Sequence, residues 1–315
     1  MNFKVLVALL IFPALGHAAI FGVDNRRPLT PDSSQHFLAQ ATAVALLSGN
    51  VSQNADGTID LLTGRVSPVC GNEKFGTDSS LDYACTGFLV APDLLVTAGH
   101  CVYAVNTPNK ELRNETGLAC KVFSWLFDYE DQAHSKAATK NINPNRVYGC
   151  KQIIYATQTE KAPFLDYALI QLDRPALGRT PFKLASVRPG IGSMLSVIGY
   201  PFGTPVKIAD QGRVTSDNPS RDSFLTSLDA FSGNSGSPVF NGGNQVVGIL
   251  VGGTPSRDTV TNDKYKCEQL NRCDENGLNC MFPDKDTSVL PGYQGVGTEI
   301  QRIEPILKLI RALRH

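Results

Sequence analysis

The sequence has no excess of either charge, few histidines and almost no long apolar runs. Its 29 basic residues are matched by 29 acidic ones, and the isoelectric point is about 6.9. That balance excludes the basic footprint of a nucleic-acid binder and the cationic face that seeks anionic membranes. Beyond residue 15 no stretch is long and apolar enough to serve as a membrane anchor. There is no internal repeat and no low-complexity tract. The C-x5-C-x6-C spacing of Cys267, Cys273 and Cys280 is not a zinc pattern, and Asp274-Glu275-Asn276-Gly277 lacks the alternating carboxylates of a calcium loop. No metal site is read from the chain.

With 42% apolar residues, the 315-residue chain can bury a sizeable core in one large domain or two small ones. The beginning reads as a targeting segment. Lys4 precedes the apolar run Val5 to Leu15, which is too short to span a bilayer, and Gly16-His17-Ala18 supplies small residues for cleavage. Residues 1–18 are therefore expected to be a secretory signal peptide; a buried N-terminal helix is the alternative. Export makes disulfides the natural reading of Cys70, Cys85, Cys101, Cys120, Cys150, Cys267, Cys273 and Cys280. Five precede residue 151 and three follow residue 266, so complete pairing requires an odd number of bridges between the two halves.

Residues 19–36 are polar and contain Pro28 and Pro31, which predicts an extended arm or short pro-segment. From residue 37 short apolar runs alternate with Gly, Asn, Asp and Pro clusters, as in Gly87 to Val90, Leu94 to Thr97, Ala168 to Leu172, Met194 to Ile198 and Gln245 to Val251. This rhythm predicts an all-β sandwich or barrel. Two polar stretches, 103–150 with an aromatic patch at Phe123 to Tyr129 and 254–292 with three cysteines, read as surface insertions. The last segment alone reads as a helix. Ile303, Ile306, Leu307, Ile310 and Leu313 share one face and Lys308, Arg311 and Arg314 the other, which suits packing against the domain better than a membrane surface.

The chemistry is concentrated in Phe231-Ser232-Gly233-Asn234-Ser235-Gly236-Ser237-Pro238-Val239. A serine hydroxyl becomes a nucleophile only with a base for its proton and donors for the oxyanion. Glycines permit a turn tight enough to aim the Gly233 and Ser235 amides into one hole; the bland alternative is a Gly/Ser turn between strands. Of the five histidines, His17, His36 and His315 lie near chain ends and His134 in a polar stretch. His100 directly follows the strand-like Val96-Thr97-Ala98-Gly99. A Cys85–Cys101 bridge would close a hairpin and fix this histidine as a general base, although a purely structural histidine has the same neighbours. Its orienting carboxylate is expected to be Asp166, which opens the apolar run Tyr167 to Leu172, where an unpaired charge would be costly. Asp173, before Arg174-Pro175, is the rival and reads as an exposed turn.

The order His100, Asp166, Ser235 within Thr97-Ala98-Gly99-His100-Cys101, Asp166-Tyr167-Ala168-Leu169-Ile170 and Gly233-Asn234-Ser235-Gly236-Ser237-Pro238 resembles the chymotrypsin-type serine endopeptidases. The resemblance runs from about residue 37 to the final helix. It implies an all-β fold of two antiparallel six-stranded barrels with the active site between them: a first barrel over about 37–175, a second over about 176–300 and a C-terminal helix at 301–315. It further implies a secreted, monomeric peptidase acting on protein or peptide substrates, with no cofactor, nucleic acid or membrane anchor. His100, Asp166 and Ser235 would be catalytic, with the Gly233 and Ser235 amides as oxyanion hole. Asn234 departs from animal trypsins, where an aspartate there pairs with a newly cut N-terminus; in this respect the motif looks like the bacterial branch that includes glutamyl endopeptidases. Activation by the trypsinogen route is not expected, and Arg26-Arg27 is a conceivable cut site.

By the same resemblance Asp229, six residues before the nucleophile, would lie at the base of the specificity pocket between walls at Gly252 and Gly295. A carboxylate there favours Arg or Lys in the substrate. Leu250 stands where glutamyl endopeptidases carry a substrate-binding histidine, which argues against glutamate; small or apolar residues are the remaining alternative. A non-catalytic binding module is the rival function, but such modules usually lose a triad residue. An α/β-hydrolase esterase is disfavoured because the histidine precedes the serine and strand, not helix, follows it.

Overall fold

The computed structural model describes residues 19–313, apart from 62–64, 67–68, 83–84, 103–110, 131–138, 160, 219, 256, 283–292 and 294. The signal-peptide expectation for residues 1–18, and also His134 and His315, lie outside the described residues.

Six strands close the first barrel: β1 (Thr42–Leu47), β2 (Cys85–Ala91), β3 (Leu94–Thr97), β4 (Phe123–Phe127), β5 (Val147–Gln158) and β6 (Asp166–Leu172). They follow one another as β1-β2-β3-β6-β5-β4, with β4 pairing back to β1, and every pairing is antiparallel. Six more close the second: β7 (Met194–Gly199), β8 (Lys207–Asp217), β9 (Ser223–Thr226), β10 (Pro238–Phe240), β11 (Val246–Thr254) and β12 (Gly297–Arg302). Their order is β7-β10-β11-β12-β9-β8, closed by β8 on β7 and again antiparallel. Closure pairs each of these strands on both sides over part of its length, which limits the exposed-edge hazard of short strands.

The cores follow from the apolar runs. Phe88, Leu89, Val96, Trp125, Phe127, Ile153 and Leu169 are all buried in the first barrel's cluster. Leu195, Val197, Val214, Phe224, Val239, Leu250 and Ile300 form that of the second. The aromatic patch around Trp125 is thus barrel strand β4, not surface insertion: it pairs with β1 over Phe123–Phe127, and Trp125 is only 1% exposed. Its polar surroundings in sequence concealed it. The final helix α1 (Glu304–Ala312) buries Ile306 and packs Leu307 and Ile310 on the large cluster, leaving Lys308 and Arg311 in solvent. Its apolar face is therefore taken up by the domain. No helix among the described residues is long and apolar enough to cross a membrane.

The N-terminal arm is packed rather than loose. Ile20 and Phe21 pair in parallel with Arg272 and Cys273, and Arg27 and Pro28 pair with Ile208 and Lys207 at the edge of β8. Ala19 and Ile20 are fully buried. The Arg26 side chain is 3% exposed, held by Asp24 at 2.7 Å and stacked over Phe231. A cut between Arg26 and Arg27 would need this strap to lift first.

All eight cysteines are bridged: Cys70–Cys267, Cys85–Cys101, Cys120–Cys150 and Cys273–Cys280. Only the first joins the two halves, an odd number as parity demands. It encloses a sequence separation of 197 residues, so it removes much chain entropy from the unfolded state. Replacing Cys70 and Cys267 together by serine is expected to lower stability by about 2–5 kcal/mol. The midpoint of guanidinium unfolding, compared with the parent protein, measures it.

Candidate active site

His100 sits in a 3-10 turn, Gly99–Cys101, directly after β3. A side chain at Gly99 could not exist: a Cβ there would lie 1.9 Å from the Thr157 carbonyl oxygen and 3.0 Å from Asp166 Oδ1. That close approach brings the His100 turn against Asp166 at the head of β6. The carboxylate takes two bonds from the histidine. The His100 backbone N–H donates to Oδ1 at 2.9 Å, and Nδ1 lies 2.7 Å from Oδ2. With Nδ1 as donor, the lone pair of the neutral ring is left on Nε2. Burial pushes the His100 imidazole down and the Asp166 carboxylate pushes it up, by charge and by hydrogen bond; the net displacement is upward from 6.5. Asp173 instead lies beside Arg174 at 3.1 Å, 43% exposed, and has no bond to His100.

Ser235 lies in the turn between residue 231 and β10. Gly233 and Gly236 have φ of +96° and +88°. A Cβ on Gly233 would meet the Tyr200 carbonyl oxygen at 2.4 Å, and one on Gly236 the Thr86 carbonyl oxygen at 2.0 Å. Both positions therefore demand glycine twice over, for torsion and for space. The turn is fixed by Asn234 N–H to Phe231 O at 2.9 Å, Ser237 N–H to Asn234 O at 2.9 Å, and Gly236 N–H to Leu250 O at 2.7 Å. Among the described residues the amides of Gly233 and Ser235 donate to no acceptor, and Ser235 Oγ and His100 Nε2 are buried without hydrogen-bond partners.

The two barrels meet at Thr86, next to the bridged Cys85. Its N–H donates to Ser235 O at 2.7 Å, its hydroxyl to Gly233 O at 2.9 Å, and its own carbonyl accepts from Thr97 Oγ1 at 2.7 Å. A second tie comes from the cysteine-rich stretch. Asp258 Oδ2 accepts from the Ser232 N–H at 2.9 Å and its hydroxyl at 2.7 Å. Neither Thr86 nor Asp258 was legible as a site residue, since nothing local marks a threonine within a strand or an aspartate within a polar loop.

Asp229 is placed differently from the expectation of an open pocket base. It is 1% exposed, and the N-terminal arm occupies both its oxygens: Phe21 N–H donates to Oδ1 at 2.8 Å and Asn25 N–H to Oδ2 at 3.1 Å. Burial pushes this carboxyl up to about 7, against the two amide bonds that pull it down. A recess of only about 10 Å³, room for a single water at most, lies beside it, lined by Arg26, Lys207, Asp229 and Asn234 together with Val197, Pro201 and Ala209. The two cations there are already matched, Arg26 by Asp24 and Lys207 by Asp78, at 2.7 and 2.8 Å. Gly252 lies buried in β11, while Gly295, at φ +90°, has open space where a side chain would stand.

A model of the trypsin-like peptidase domain matches residues 85–249, more than half of the chain. The chain belongs to the trypsin-like peptidase family. This membership supports a serine-protease hydrolase. Among curated proteins the family member is similar to the extracellular metalloprotease of Bacillus subtilis (strain 168), 28% identical over an alignment of 218 positions that covers 60% of this chain. The match takes in 58% of that relative's length. Among solved structures this peptidase is similar to a Glu endopeptidase in complex with MPD, with 17% identity, a TM-score of 0.46 and coverage of 79% of this chain and 91% of the other. The active form of the Rv3671c protease from M. tuberculosis gives 14% identity, a TM-score of 0.41 and coverage of 80% and 85%.

The Asp229 carboxyl ties the arm's stability to pH. Its folded value, about 7, lies above the 3.8 of a free side chain, so the folded state holds the proton more tightly. The resulting stabilisation is complete below pH 3.8 and is lost as pH rises through 7. Thermal unfolding of the parent and Asp229→Asn across this range is expected to show a falling midpoint difference in the parent that the variant lacks.

Proposed function

We propose that the protein is a secreted serine endopeptidase that works through an acyl-enzyme. The observation that carries this reading is the double hydrogen bond that His100 donates to Asp166, which leaves Nε2 free as a base. In the proposed reaction Ser235 Oγ attacks the carbonyl carbon of a peptide bond as its proton passes to His100 Nε2. The amides of Gly233 and Ser235 stabilise the negative oxygen of the tetrahedral intermediate. Its collapse breaks the C–N bond, and the proton on His100 goes to the leaving amine. Water then attacks the acyl group by the same route and frees Ser235. Asp166 keeps its charge throughout; it orients the ring and stabilises the imidazolium.

The name of the B. subtilis relative raises metal chemistry. The three side chains that cluster at metal-ligand distances among the described residues are Cys85, His100 and Cys101. Both sulfurs are consumed in the disulfide, and the histidine is held by Asp166. This donor set does not fit a metal ion, since thiolate is the ligand form of cysteine, and no step is routed through one.

Export fits four disulfides with no free cysteine among the described residues. Proteins or peptides are the substrates, and the working unit is taken to be a monomer. On specificity, the arm's amides already satisfy Asp229, which removes the support that carboxylate gave to cleavage after Arg or Lys. Small or apolar residues are then the alternative, since a pocket without a free carboxylate offers Arg or Lys no partner. In a panel of peptide substrates, cleavage after uncharged residues is expected to exceed cleavage after Arg and Lys; the reverse order would restore Asp229 to the pocket.

The catalytic reading is tested with a serine-directed phosphonate. Covalent labelling is expected in the parent and absent in Ser235→Ala, while Asp166→Asn should lower kcat about 10⁴-fold. Because His100 must be neutral to act as base, kcat/KM should fall on the acid side with a midpoint above 6.5. Lack of labelling in a processed, folded protein would favour a binding module.

A further inference from the structure

Asp166 owes its place to more than its own strand. The turn that precedes it, residues 163–165, rests against the second barrel. The Asp222 N–H donates to the Pro163 carbonyl at 3.2 Å. The Arg221 guanidinium lies 3.8 Å from the centre of the Phe164 ring and is anchored by Glu299 at 2.7 Å. The third contact is Gln301, a fully buried polar side chain in β12. Its Oε1 accepts from the Asp166 N–H at 2.9 Å, and its Nε2 donates to the Asp222 carbonyl at 2.6 Å. The same carbonyl accepts from the Arg302 N–H at 2.8 Å. One acceptor and one donor are thus matched at the two ends of a single amide, which fixes its orientation.

On its other side Gln301 belongs to the strand next to the nucleophile turn. It pairs with Ile249 in β11. The neighbouring Leu250 accepts from Gly236 N–H at 2.7 Å and donates to Ser237 O at 3.0 Å. Asp166 and the Ser235 turn therefore hang from adjacent strands of one barrel, although Asp166 and His100 belong to the other.

We propose that Gln301 is a positioning residue that sets the His100–Asp166 pair relative to Ser235. It touches no reacting atom in this scheme; it holds the backbone of Asp166, and through it the two bonds to His100. The inference rests on the catalytic reading above only for its kinetic consequence. The titratable groups around the pair are Asp222 beyond Gln301, Tyr167 beside Asp166 in β6, and Tyr155, which stacks on Tyr167 and donates its hydroxyl to Glu111. Arg221 and Glu299 face the turn from the second barrel as a matched pair. None of them bonds to the imidazole; Asp166 does.

The test uses two substitutions that keep the size of the side chain. Gln301→Met removes both hydrogen bonds, so the hold of Asp166 on His100 loosens. NMR titration of the His100 ring in the folded protein should then move to lower pH, and kcat should fall about 10- to 100-fold with little change in KM. Gln301→Glu, kept protonated by burial beside Asp166, retains both bonds: its carbonyl oxygen accepts from the Asp166 N–H and its hydroxyl donates to the Asp222 carbonyl. Its His100 titration and kcat should therefore stay near those of the parent. Loss in the methionine variant with retention in the glutamate variant is not produced by a general loss of packing. A His100 titration unchanged in a folded Gln301→Met, or displaced as far in Gln301→Glu, overturns the proposal. The titration needs no turnover. If the two variants give this pattern while the parent takes no phosphonate label, the catalytic reading falls and the role of Gln301 stands.

Discussion

A half-buried carboxylate beside the seam of two β-barrels needs partners for its charge, and Asp166 takes two from a single residue. Its two oxygens take the backbone N–H and the ring Nδ1 of His100. The backbone bond fixes where the histidine begins, and the ring bond fixes which way it turns and which nitrogen keeps the lone pair. Much of the surrounding architecture makes sense as the means of holding this geometry. Gly99 yields the space, the Cys85–Cys101 bridge pins the turn to the neighbouring strand, and the apolar β6 carries the carboxylate to the barrel rim. Removing solvent from the pair strengthens it, because the same charge acts in a medium of lower dielectric.

The Ser235 turn answers from the other barrel with a different device. Its geometry comes from backbone hydrogen bonds and two glycines with left-handed torsions rather than from a charge. Thr86 couples the two solutions, since its main chain and hydroxyl both reach the Ser235 turn while its strand carries Cys85. Asp258 and the N-terminal arm steady the turn from outside. The polar stretch beyond β11 is accordingly part of the support of the site, which explains why it is stapled at Cys273–Cys280 and tied to the arm through Ile20 and Phe21.

The parts that could be read from the sequence are those with local signatures. Short apolar runs between turn residues located the barrel strands, and the glycines around Ser235 and the apolar run after Asp166 marked the site before any geometry was known. The parts that escaped are set by long-range packing. Phe123–Phe127 looked like an insertion because its neighbours are polar, yet its register against β1 makes it core. Asp229 looked like a pocket base because of its distance from Ser235; what closes it is an arm more than two hundred positions away in sequence (Phe21 at a separation of 208). Gln301 carried no signal beyond being polar within a strand. A side chain whose two partners lie in different barrels leaves no periodicity to detect.

The Cys70–Cys267 bridge decides what a single cut in the chain can release. It closes a covalent ring that contains most of both barrels, from β2 to β11. A single nick anywhere inside that ring leaves one molecule, with both cut ends still tethered and able to settle back. The arm is outside the ring, and no disulfide secures it. A nick between the arm and Cys70 would leave the amides that cap Asp229 held by hydrogen bonds and packing alone. Most of both barrels is thus held covalently, while the arm, like β12 and α1 beyond the ring, depends on packing and hydrogen bonds.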